Sequence, residues 1–127
     1  MRRLLALLLI TATLAGCASS SGPADGYLTP KQDAQGRYVI DLTADNKVAP
    51  VKAQVPVGAT VVWTVGSGGI HDVTSDPDSA EAFSSDAQYP GKMKGGNQYE
   101  HTFTKPGTST YRCVLHGEMM KASLRVV

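Results

Sequence analysis

A chain of 127 residues has room for one domain and not two. With 42% hydrophobic and 18% charged residues it lies outside the composition of disordered chains, which combine few apolar residues with high net charge. The formal charge of +1 becomes −1 (10 basic against 11 acidic residues) once Arg2 and Arg3 are set aside with the N-terminal segment, so the basic footprint of a nucleic-acid binder is missing.

In chain order, Met1, Arg2 and Arg3 form a short basic region, and residues 4–14 form an apolar run. Ala15 and Gly16 are the small residues that signal cleavage needs. The run is too short to cross a bilayer, which takes about 20 apolar residues. Cys17 follows at once. Leu14-Ala15-Gly16-Cys17 resembles a bacterial lipobox. That resemblance implies that residues 1–16 are removed as a signal peptide and that Cys17 is lipidated. More than one acyl chain makes such anchoring stable. The implied location is the periplasm or extracytoplasmic face, attached to a membrane, with Ala18 permitting export to an outer membrane. An ordinary signal peptide with an unrelated Cys is the plainer alternative.

Residues 17–36 are rich in Ser, Gly, Pro, Ala and Asp and read as the lipidated Cys followed by a flexible tether. The domain proper is expected over residues 37–127. There, short segments alternate apolar and polar residues with the period of half-buried strands. Tyr38, Ile40 and Leu42 share a face; residues 51–55 offer a second strand; Val57, Gly58 and Ala59 turn the chain. Val61, Trp63 and Val65 mark a third strand, and Trp63 reads as core. Gly66, Ser67, Gly68 and Gly69 interrupt, and residues 70–74 resume. Residues 76–96 read as a long loop with little strand. Tyr99, His101 and Phe103 alternate, Lys105-Pro106-Gly107 turns, and residues 108–114 and 122–127 are the last strands. No helical period of convincing length occurs. Many short strands with 13 Gly and 7 Pro predict an all-β sandwich or barrel.

The chemistry sits in Tyr111-Arg112-Cys113-Val114-Leu115-His116-Gly117-Glu118-Met119-Met120. A thiolate, an imidazole and a thioether fall at the junction of two expected strands. Cys113 is the one cysteine left once Cys17 is lipidated, and unpaired thiols are unusual in oxidising compartments. Singly, each residue has an ordinary reading: Cys113 as a small buried hydrophobe, His71 as a surface polar residue, Met119 and Met120 as core. Together, soft sulfur donors with imidazoles suit copper, held by two His and one Cys in a plane with a weak axial Met. A structural zinc site fits less well, because it wants four strong N or S ligands.

Cys113-Val114-Leu115-His116 is similar to the C-terminal ligand loop of cupredoxins, the blue-copper proteins of plastocyanin/halocyanin type. Met120-Lys121-Ala122-Ser123-Leu124 resembles their axial Met and last strand. Gly69-Ile70-His71-Asp72-Val73 resembles their first ligand segment, and Phe103-Thr104-Lys105-Pro106-Gly107-Thr108 with Tyr111 their turn before the Cys strand. The resemblance implies a Greek-key β-sandwich and one type 1 copper on His71, Cys113, His116 and an axial Met. Met119 and Met120 compete for that role. Period-two alternation favours Met120, because Leu124 then points inward. The resemblance also implies one-electron transport between redox proteins such as cytochromes, oxidases or reductases, no enzymatic activity of its own, and a monomer. His116 would be the exposed electron port, with His71 buried. Periplasmic copper scavenging or delivery is the alternative; Met93, Met119 and Met120 are too few for the methionine-rich tracts that would favour it. His101 reads as structural. Asp72, Asp76, Asp78, Glu81 and Asp86 form an acidic stretch, either a docking patch for a cationic partner or a solvated loop.

Overall fold

The computed structural model describes residues 24–127; the signal segment, Cys17 and the first part of the expected tether lie outside the described residues. Ten strands follow one another: β1 Tyr38–Leu42, β2 Val48–Ala49, β3 Lys52–Val55, β4 Thr60–Val65, β5 Ile70–His71, β6 Thr74–Ser75, β7 Met93–Lys94, β8 Gln98–Thr102, β9 Gly107–Arg112 and β10 Lys121–Val126. They form two four-stranded sheets, ordered β2-β1-β4-β8 and β3-β10-β9-β6, and a small β5-β7 pair. The chain passes repeatedly from one sheet to the other, so each sheet is completed by residues distant in sequence. β1 runs parallel to β4 and β3 parallel to β10; the other pairings are antiparallel.

The alternation read from the sequence is the alternation that fills the core. Ile40 and Leu42 of β1, Val61, Trp63 and Val65 of β4, and Ala122, Leu124 and Val126 of β10 are all buried. Trp63 is the centre. Its ring lies 5.4 Å from Phe83, 5.6 Å from Tyr99, 6.3 Å from Phe103 and 5.6 Å from Tyr111. Such pairings add to the stabilisation from burial alone. Val62 departs from the pattern: it points to the opposite face of β4 yet is also buried. β4 is central, and Val62 is flanked by its register partners Val39 and Glu100.

The packed chain begins ahead of Arg37, the expected boundary. Tyr27 is buried, and its hydroxyl meets Ser123 Oγ at 3.1 Å. Arg125 lies 3.7 Å over the Tyr27 ring and also pairs with Asp25. Leu28 takes a place beside β3: its N–H donates to Lys52 O (3.0 Å) and its carbonyl accepts from Gln54 N–H (2.9 Å). Tyr27 and Leu28 are too few to show a period, so composition alone concealed them.

The expected loop over residues 76–96 is also more structured than its composition suggests. Phe83 and Met93 enter the core, and β7 pairs with β5. Glu81 holds the middle of this segment. Its carboxylate accepts from His101 Nε2 (2.9 Å) and from the N–H groups of Thr104 and Lys105 (both 3.0 Å). His101 is thus structural, packed on Phe103 with ring centroids 4.8 Å apart. Burial opposes ionisation of Glu81, but His101 and the two N–H donors outweigh it and hold the carboxyl below its ordinary value. A carboxylate lowered in the folded state stabilises above its unfolded pKa, and that stability is lost as pH falls through the folded value. Glu81→Gln is therefore expected to cost about 1–3 kcal/mol at pH 7, the range for hydrogen bonds to a charged group. The gap from wild type should close in acid. Urea unfolding of both proteins across pH checks this; a gap independent of pH would show that the charge contributes nothing.

Candidate metal centre

His71, Cys113 and His116 come together at one end of the sandwich, with their ligand atoms all within 4.8 Å of one another. Each is delivered by a different local device. His71 ends β5, and its ring is fully buried. His71 Nε2 lies 3.0 Å from Thr43 O. A carbonyl only accepts, so Nε2 carries the proton and Nδ1 is left facing Cys113 Sγ, at 3.9 Å. Burial holds the His71 pKa below its ordinary value against the pull of the Thr43 carbonyl, which favours the neutral ring that can ligate a metal. Gly69 makes room for that ring: a Cβ there would sit 2.7 Å from His71 Nε2.

Cys113 follows β9 directly and is buried. Its Sγ receives the N–H of Asp72 at 3.4 Å and lies 3.3 Å from His116 Nδ1. Burial pushes the Cys113 thiol above its ordinary pKa, and the Asp72 carboxylate adds to that, against the Asp72 N–H. The turn that returns His116 is tight: the N–H groups of His116 and Gly117 both donate to Cys113 O, at 3.2 and 2.9 Å. Gly117 adopts φ +55, a left-handed conformation that suits glycine. A single 3-10 turn, Gly117–Met120, then leads into β10. His116 is half-buried, in contrast to fully buried His71.

The two methionines part company at this turn. Met120 is 0% exposed and belongs to the same buried cluster as Cys113, whereas Met119 is 69% exposed. Cys113 N–H donates to Met120 O at 3.3 Å, which places the two residues side by side. The site therefore offers one buried thiol and two imidazoles, with a buried methionine, Met120, as the backbone partner of Cys113. It is the one cluster of metal-type donors among the described residues. Soft sulfur with imidazole fits copper better than a hard cation.

Asp72 is a site residue that the sequence reading passed over as part of an acidic run. Its carboxylate is fully buried; Oδ1 accepts from Val114 N–H at 2.7 Å and Oδ2 from Thr74 Oγ1 at 2.9 Å. Burial opposes its ionisation, but the Cys113 side chain, Thr74, Val114 N–H and Lys92 together hold the carboxyl below its ordinary value. The signal available was position: an acid directly after a buried histidine needs partners. Three more acids of the run also have partners. Asp76 pairs with Arg112, Glu81 holds the β8–β9 turn, and Asp86 pairs with Lys92. Four of the five acids are thus tied to partners, while Asp78 is exposed and makes no ion pair among the described residues.

Known proteins are similar to this chain in sequence and fold. Residues 42–127 match the family described as copper binding proteins, plastocyanin/azurin family. A halocyanin from Natronomonas pharaonis is 34% identical over 95 residues, covering 72% of this chain and 56% of that protein; the chain thus spans little more than half of that relative. Among solved structures, a reduced tryptophan-to-tyrosine variant of amicyanin superposes with a TM-score of 0.61 at 28% identity, over 75% of this chain and 86% of that one. The copper-containing nitrite reductase from Thermus scotoductus has the same fold in 28% of its length, with a TM-score of 0.61 at 24% identity over 81% of this chain. The fold thus occurs within an enzyme as well. With the family match over most of its length and a cluster of one thiol and two imidazoles, the chain belongs to the plastocyanin/azurin family of copper-binding proteins, the cupredoxins, and its cofactor is a single type 1 copper.

Proposed function

We propose that this protein is a one-electron carrier. His71 Nδ1, Cys113 Sγ and His116 Nδ1 would be the in-plane copper ligands and Met120 the axial one. The observation that carries the reading is the packing of one buried thiol against two imidazoles whose positions are set by backbone partners: Thr43 O for His71, and the Cys113 turn for His116. Bound copper supplies a Cu(I)/Cu(II) couple; the protein's part is to keep its donors still while the charge changes. His71 cannot turn without breaking its bond to Thr43, and Cys113 cannot move without losing Asp72 N–H. Rearrangement on electron transfer is then small. His116 would be the port, since it is half-buried where His71 is fully buried, and Ile70, Leu115 and Met119, near the ligands in sequence, are exposed. Those apolar side chains are a surface on which a redox protein could settle briefly. We read the chain as a carrier and not a catalyst in its own right.

Copper scavenging or delivery is the competing reading. Met93 argues against it, being fully buried in the core and not part of an open thioether tract. Voltammetry of the copper-loaded protein separates the two: a carrier shows a reversible one-electron couple with fast self-exchange. The same experiment tests the axial assignment. Met120→Leu should raise the potential by at least 59 mV, a tenfold change in a one-electron equilibrium, because losing a weak donor destabilises Cu(II) more than Cu(I). Met119→Leu should leave it in place. The reverse pattern would move the axial role to Met119, and an irreversible wild type would favour copper handling.

We infer further that Cys17 is lipidated and tethers the domain to the extracytoplasmic face of a membrane, the outer one in a Gram-negative host. Support comes from Leu14-Ala15-Gly16-Cys17 and from a domain whose one thiol, Cys113, is sheltered from oxidation by burial. Mass spectrometry of the membrane-extracted protein should find an acylated Cys17 at the N-terminus. An unmodified Ala18 or Ser19 there would rule out the anchor.

A further inference from the structure

Behind the donor cluster lies a chain of charge that the carrier reading does not use. Asp72 Oδ2 faces Lys92 Nζ at 3.3 Å, and the same ammonium meets Asp86 Oδ1 at 2.9 Å. The three differ in depth: the Asp72 side chain is fully buried, that of Lys92 is 23% exposed and that of Asp86 is 49% exposed. Lys92 is also held in an uncommon backbone conformation, φ +69, with its N–H bonded to Tyr89 O at 2.9 Å. A non-glycine residue in that region costs free energy and persists where its surroundings impose it. Here the next residue, Met93, pairs with His71 across β5 and β7, so the strained lysine leads into the strand that pairs with the one carrying His71.

A buried carboxylate is expensive unless donors surround it. Asp72 has them, from Val114 N–H, Thr74 Oγ1 and Lys92 Nζ. It also joins the two ligand segments, because its N–H reaches Cys113 Sγ while its Oδ1 holds the residue after Cys113. A smaller polar residue would serve for that clamp. What the carboxylate adds is a full negative charge beside the thiolate, and what Lys92 adds is a positive charge against it. When one electron enters the site, its net charge falls by one. A fixed anion then opposes reduction and a fixed cation favours it, each by about tenfold or more in the equilibrium at such range in a partly buried site.

Resting on the one-electron carrier reading, we propose that Asp72 and Lys92 are an opposed charge pair that sets the reduction potential of the centre, Asp72 lowering it and Lys92 raising it. Both are positioning residues, since neither supplies a donor atom to the cluster. Asp86, exposed and on the far side of Lys92, orients the ammonium.

The test uses the full copper-loaded chain at fixed pH 7 and two near-isosteric neutralisations. Lys92→Gln should lower the potential by at least 59 mV, a tenfold shift for one electron. Asp72→Asn should raise it by a similar amount, and Lys92→Arg should restore wild-type behaviour. The visible spectrum should keep its main band in all three. In the metal-free protein, amide exchange at Val114 should stay slow in Lys92→Gln and speed up in Asp72→Ala, which separates the clamp from the charge. Opposite signs for the two neutral variants are the signature that loss of packing alone does not produce. Potentials unmoved, or moved the same way, over a reversible wild type would overturn this proposal and leave the carrier reading standing. A wild type with no reversible couple would overturn both.

Discussion

Cys113→Ser is expected to abolish the intense visible absorption of the copper-loaded protein while leaving the sandwich folded. The colour of such a centre comes from charge transfer between a cysteine thiolate and Cu(II), and a serine hydroxyl has no comparable soft donor. The only other cysteine in the chain, Cys17, precedes the described domain. The fold should survive because a hydroxyl occupies nearly the same volume and can still accept Asp72 N–H, which reaches Cys113 Sγ at 3.4 Å. The cost is that of a modest polar substitution at a buried position, about 1–3 kcal/mol. Absorption spectra with Cu(II) and far-UV circular dichroism of the metal-free variant measure the two halves separately. A variant that stays blue would remove Cys113 from the site. A variant that loses both colour and fold would show that the thiol is structural.

Trp63→Ala should be the most damaging change outside the donor cluster, lowering stability by about 3–5 kcal/mol. Trp63 is fully buried at the centre of β4, and four other aromatic rings pack on it. Domains of this kind are stable by only about 5–15 kcal/mol, so the variant would sit near its unfolding threshold. Trp63→Phe should be much milder. It keeps an aromatic ring against the cluster and removes an indole N–H that has no hydrogen-bond partner in the buried interior, where the Tyr111 hydroxyl is likewise unpaired. Urea midpoints of the two variants provide the comparison. Equal losses would mean that the indole N–H matters more than ring packing.

Most of the fold was legible because half-buried strands leave a period of two in the sequence. Residues 38–42, 60–65 and 121–126 alternate apart from Val39 and Val62, and each became a strand with its alternating apolar set inward. The donors His71, Cys113 and His116 were legible for a different reason: donor atoms of these types are scarce in this chain, and two of the three lie within four residues. The alternation of β10 favoured Met120 over Met119 for the axial role, and Met120 is the buried one of the two. Tyr27, Phe83 and Met93 were not legible, because no period of apolar residues runs through the polar stretches around them. Their burial depends on partners far away: Arg125 and Ser123 for Tyr27, Trp63 for Phe83, and β5 for Met93.

The charges show most clearly where sequence stops. By itself the sequence pointed to an all-β fold and put a thiol, an imidazole and a thioether within eight residues, Cys113 to Met120, since periodicity and donor type are properties of neighbours along the chain. It left five acids within 15 residues as either a docking patch or a solvated loop. Only the tertiary structure decided that Asp72 is buried against Cys113, that Asp76 belongs to Arg112, that Glu81 belongs to His101 and the turn after β8, and that Lys92 stands between Asp72 and Asp86. A charge acts through space, and its effect depends on distance and on how much water is excluded. Neither quantity is written in the order of residues; both are set when two sheets close over a core.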